Sequence, residues 1–186
     1  MMKIRILAFA AVAAFLAVGC SESSHGPDDH DHDVITTVTF TLRPTNTIGE
    51  TIVAVWEDID GIGGNNPNRI DTMKLSVGVV YSVSVTVENR SKTPPENLTE
   101  TISAEKDNHQ FIYAIADTLG TVTVMDTDSR GLPVGLLFSL QSASVAPDGL
   151  GTFTATLYHY DNATSKVGGV PGSESDASIT LPVSVR

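Results

Sequence analysis

The chain has 186 residues, with 11 basic against 22 acidic side chains and a formal net charge of −11. So acidic a chain lacks the positive surface that nucleic acid requires, and anionic lipid head groups repel it. Its single cysteine, Cys20, excludes an intrachain disulfide and leaves no zinc–thiolate cluster or second thiol to consider.

The first element is apolar. Lys3 and Arg5 are the only charges before Glu22, and Ile6 to Val18 is an unbroken apolar run of 13 residues. A membrane-spanning helix needs about 20 such residues, so the run has the length of an export signal. It ends in Leu16-Ala17-Val18-Gly19-Cys20, which resembles the lipobox of bacterial lipoproteins, with Ala17 in place of the usual large aliphatic. The resemblance implies cleavage after Gly19, a signal peptide over 1–19, and acyl chains on Cys20. Two or more chains hold a protein firmly on a bilayer where one is marginal. Ser21 in place of an acid implies, by the same resemblance, the outer rather than the inner membrane.

Residues 20–33 read as a flexible tether. The segment carries no apolar residue after the cysteine, so nothing in it offsets the entropy of ordering. His25, His30 and His32 stand among Asp28, Asp29, Asp31 and Asp33. Imidazoles spaced in this way, beside carboxylates, can chelate Zn or Cu loosely; otherwise the segment is a merely hydrophilic spacer.

From Val34 to Arg186 the apolar residues recur every second position. Val38, Phe40 and Leu42 alternate with Thr37, Thr39 and Thr41. Similar runs are Val79 to Val87, Phe111 to Ile115, Leu136 to Leu140, Phe153 to His159, and Ile179 to Val185. Alternation of this kind predicts strands with one buried and one solvated face. Gly- and Pro-rich turns separate the runs, and no segment has three turns of amphipathic helix. The expectation is all-β: one antiparallel sandwich of about eight to ten strands over 34–186.

The segment Leu75-Ser76-Val77-Gly78-Val79-Val80-Tyr81 resembles the tyrosine corner of fibronectin type III and immunoglobulin-like domains. The resemblance implies an immunoglobulin-like Greek key, with Tyr81 bonding back to backbone just upstream. Over the mature chain, Trp56-Glu57-Asp58-Ile59-Asp60-Gly61, Thr93-Pro94-Pro95-Glu96, His109-Gln110-Phe111-Ile112-Tyr113 and Gly131-Leu132-Pro133-Val134-Gly135 resemble a family of small lipoproteins from Bacteroidota-type bacteria. Members are often named for the type 1 periplasmic binding fold, which needs two lobes of alternating strands and helices that this chain is too short to form. Asp71-Thr72-Met73 and Asp117-Thr118-Leu119 resemble the O-glycosylation motif of those bacteria.

Two candidate sites lie in the domain. Asp58, Asp60 and Asn65, on a Gly-bent loop, offer oxygens to Ca²⁺, although Ile62 and Arg69 depart from the EF-hand pattern. The alternative is a long polar connection between two strands. His109 and His159 each border aromatic residues, and adjacent strands would make them a metal or small-ligand site with Asp161 behind. No G-x-S-x-G, H-E-x-x-H or phosphate-binding Gly loop is present, so no enzymatic activity is expected. The leading expectation is a lipid-anchored, non-catalytic binding module at the outer membrane. The alternatives are a metal-capturing accessory protein (Zn/Cu or Ca) serving an outer-membrane receptor or transporter, and a structural surface coat.

Overall fold

A computed structural model describes residues 34–46 and 49–186. The expectations for the signal peptide, Cys20 and the tether histidines His25, His30 and His32 lie outside the described residues.

Alternating side chains form the first strand, β1 (Thr37–Pro44), in which Val38, Phe40 and Leu42 are fully buried. It pairs antiparallel with β2 (Ile52–Glu57), which carries the two-residue β3 (Arg69–Ile70) on its far side. The three-residue β4 (Met73–Leu75) leads into β5 (Val80–Asn89), where Tyr81, Val83, Val85 and Val87 turn inward. β6 (Glu96–Asn97) pairs with β5, and helix α1 (Leu98–Ala104) follows. Then come β7 (His109–Ile115), β8 (Gly120–Val124), β9 (Leu137–Ser142), β10 (Gly151–His159) and β11 (Glu174–Val185).

These strands form two sheets. One has the order β3-β2-β1-β5-β9-β8, with β6 off β5; the other has the order β4-β11-β10-β7. Strands occupy 48% of the described residues and the one helix among them has seven residues, so the all-β expectation holds. The pairing departs from a wholly antiparallel sandwich at one place, where β4 runs parallel to β11. Alternation specifies which side chains face inward, but it carries no strand direction.

Aromatic rings fill the space between the sheets. Phe40 meets Phe153 edge-on at 5.4 Å, and Phe138 lies 4.4 Å from Tyr113. Contacts of this kind add about 0.5–1.5 kcal/mol per pair beyond the area they bury. Tyr81 is 1% exposed and its hydroxyl accepts the Ser76 N–H at 2.9 Å, the upstream bond expected of it. Gly78, at φ 68°, gives the turn between them its left-handed backbone.

The sandwich has two distinct ends. Gly78 donates to the Ala143 carbonyl at one end, where Arg186 also bonds to Leu75. At the other end lie Thr37, paired with Glu57 and Glu88, and the registered pair His109 and His159. Val34 therefore enters the domain at the histidine end, and Arg186 leaves it at the other.

Candidate metal centre

His109 opens β7 and His159 closes β10, and the two face each other in register. Both continue the inward-facing rows of their strands, Phe111 beside His109 and Leu157 beside His159, at the point where the apolar core gives out. Their rings stack with centroids 4.6 Å apart and planes 22° from parallel. His109 is 7% exposed and His159 is half-buried.

Helix α1 orients the buried ring. Asn97 caps it by accepting the Thr99 N–H at 3.1 Å, and Leu98 and Ile102 bury its inner face. Glu105 at the C-cap then presents its carbonyl 3.1 Å from His109 Nδ1. A carbonyl accepts only, so Nδ1 carries a proton, and in the neutral ring Nε2 holds the lone pair that a metal needs. An N–H to carbonyl bond of this kind commonly fixes the tautomer of a metal-ligating histidine.

A carboxylate completes the group. Ala177 pairs with Leu157 but Ser175 pairs with Tyr158, so Asp176 is an extra residue in β11, a β-bulge. Bulges re-aim side chains. Asp176 Oδ2 stands 3.7 Å from His109 Nε2, and one donor atom from each of His109, His159 and Asp176 lies within 4.8 Å of the others. Around Zn²⁺, donors about 2.0–2.1 Å from the ion stand roughly 3.3 Å apart. The group therefore needs to close by about an ångström, and because stacked rings do not point at a common centre, the half-buried His159 must turn. Glu174, opposite His159 in register, is a further carboxylate beside the pair. Asp161, the acid expected behind the pair, is exposed, and Asp176 is the acid beside the pair instead.

The second candidate, the loop after β2, closes on itself. Asp60 Oδ2 accepts both the Asn65 backbone N–H at 2.9 Å and its side-chain N–H at 2.6 Å. Asn65 thus turns its amide nitrogen, rather than its oxygen, toward Asp60. Asp58 is buried, two residues before Asp60. Burial and the Asp60 carboxyl push Asp58 upward, while the Asn65 N–H groups hold Asp60 below the ordinary range. Among the described residues Asp58 Oδ1 has no hydrogen-bond partner.

A third group was invisible in the sequence. Lys166, in the β10–β11 connection, and Asp128, in the β8–β9 connection, have fully buried side chains and meet at 3.1 Å. Lys166 Nζ also donates to the Lys106 carbonyl at 2.7 Å, just after α1. Three connections at the histidine end are thereby joined. Asp107 adds a further tie, accepting the Ser129 N–H at 2.8 Å and its hydroxyl at 2.7 Å.

No family model matches the chain, and neither a curated protein nor a solved structure gives a match. The chemistry of the site therefore stands on its own geometry.

Proposed function

We propose that the domain captures a divalent transition-metal ion, Zn²⁺ first, through His109, His159 and Asp176, as a lipid-anchored accessory protein of the outer membrane. The observation that carries this reading is the Asp176 bulge, which brings a carboxylate to Nε2 of a histidine whose Nδ1 is already engaged by a backbone carbonyl. Two imidazoles and a carboxylate suit Zn²⁺ and Cu²⁺ better than the hard cations, which prefer oxygen alone. Of the functions expected from sequence, this geometry favours the metal-capturing accessory protein over the general binding module and the surface coat. Three protein ligands leave a position open for water or for a receptor's ligand, an arrangement suited to delivery. The role is non-catalytic, and the lipid on Cys20 and an outer-membrane receptor or transporter as partner belong to the same proposal.

Isothermal titration of the full chain with Zn²⁺ tests it. The expected result is one site that survives replacement of His25, His30 and His32 by alanine and is lost in His159→Ala. Equal heats for His159→Ala and the parent chain would overturn the reading. Affinity should weaken as pH falls, because imidazole ligates only in its neutral form.

A further inference from the structure

The buried pair Asp128 and Lys166 is arranged for a reaction the metal site does not use. Neither side chain has any solvent exposure. Asp128 Oδ1 accepts two backbone N–H groups, those of Arg130 and Leu132, each at 2.8 Å. Among the described residues Asp128 Oδ2 accepts no well-formed hydrogen bond, although Lys166 Nζ is 3.1 Å away. The amine is therefore against the carboxyl group but off the direction a hydrogen bond requires. The other charges nearby are Arg130, whose guanidinium is 3.8 Å from Oδ2 and donates to the Lys166 carbonyl at 3.2 Å, and Asp107, which is engaged by Ser129.

A buried ion pair lacking one of its hydrogen bonds is costly, since desolvation of both charges is only partly offset. Burial also draws the Lys166 amine below its ordinary 10.5, against the opposing pull of Asp128, toward the neutral form that attacks carbonyl carbon. Condensation would remove both charges and the orphaned oxygen together. The hydrogen bonds already present then suit the product: an amide N–H donating to Lys106, and an amide oxygen accepting from Arg130 and Leu132.

We propose that Asp128 and Lys166 join spontaneously through an isopeptide bond. A proton passes from the Lys166 ammonium to Asp128 Oδ2, and the freed Nζ lone pair attacks Cγ. The Arg130 and Leu132 N–H groups hold the negative charge that develops on Oδ1, as an oxyanion hole does. A second Nζ proton moves to Oδ2, the Cγ–Oδ2 bond breaks, and water leaves. One ammonium and one carboxylate become one amide and one water, with nothing oxidised or reduced and no co-reactant required.

Mass spectrometry of the purified full chain, kept at neutral pH and then digested with trypsin under denaturing conditions, decides the matter. With the bond formed, Lys166 resists cleavage, and peptides 107–130 and 131–186 emerge as one branched species lighter than their sum by one water. Linear 107–130, 131–166 and 167–186 at full mass would overturn the proposal. Asp128→Asn supplies a second measurement, because it loses ammonia instead of water and converges on the same branched product as the parent. Lys166→Met must give only linear peptides.

Discussion

Tyr81 shows how much a single side chain can reveal. Its role was readable because a tyrosine corner is local, with donor and acceptor only a few residues apart. Replacing Tyr81 with phenylalanine removes the bond to Ser76 and keeps the ring in the core. The expected loss is about 1 kcal/mol, the net worth of one hydrogen bond. Urea denaturation measures it, and Zn²⁺ binding at the far end should not change. His109 and His159 were readable as candidates, and their strands make them register partners. Asp128 and Lys166 were not readable. They belong to different connections, and nothing local distinguishes a lysine that will be buried from the exposed lysines that are the rule. Asp176 was missed for a related reason, since it lies in an acidic stretch before the strand pattern of Ile179 to Val185 becomes regular.

The strands were legible as elements because burial repeats every second residue along each of them. The inward rows of β1, β5, β10 and β11 are those the alternation selects. Partner choice was not legible, since the period carries neither neighbour nor direction. The parallel β4–β11 pair and the two-residue strands β3 and β6 follow from tertiary packing alone. Under the proposed metal capture, the bulge in β11 supplies a ligand. Deleting Asp176 should restore plain pairing between β10 and β11 and remove the carboxylate from the histidine pair. Losing a partner behind a metal ligand typically costs about 10–100-fold in affinity, and losing a ligand itself should cost at least that. Titration of the Asp176 deletion and of Asp176→Ala, with circular dichroism to follow the sheet, checks it. An unchanged Zn²⁺ affinity in both variants would exclude Asp176 as a ligand.

Acid response is a property of the whole molecule. Asp71 is held below the ordinary 3.8 by the Arg69 guanidinium, and Asp107 by the Ser129 N–H. Burial alone would raise Asp128, but the Leu132 N–H and Lys166 outweigh it and leave it lowered. A carboxyl group depressed in the folded state contributes stability that is complete above its unfolded value and drains away as pH falls through its folded value. Asp58 acts in the opposite sense, because its raised value favours the folded state at low pH and that contribution fades as pH rises. Four depressed carboxylates, Asp60, Asp71, Asp107 and Asp128, against one raised group predict net loss as pH falls below the ordinary 3.8, read as a falling urea midpoint in that range. Condensation of Asp128 with Lys166 would remove one depressed group from this set. The separation of the chain's two entry points bears on how such experiments are built. Val34 joins the domain at the end that holds His109 and His159, whereas Arg186 sits at the opposite pole beside Leu75. A fluorophore or affinity handle fused after Arg186 leaves the pole that holds His109 and His159 open. Paramagnetic Cu²⁺ bound there would broaden nuclear resonances from Thr36 and Tyr160 while sparing those of Ser76, giving a map of the ion's position without a crystal.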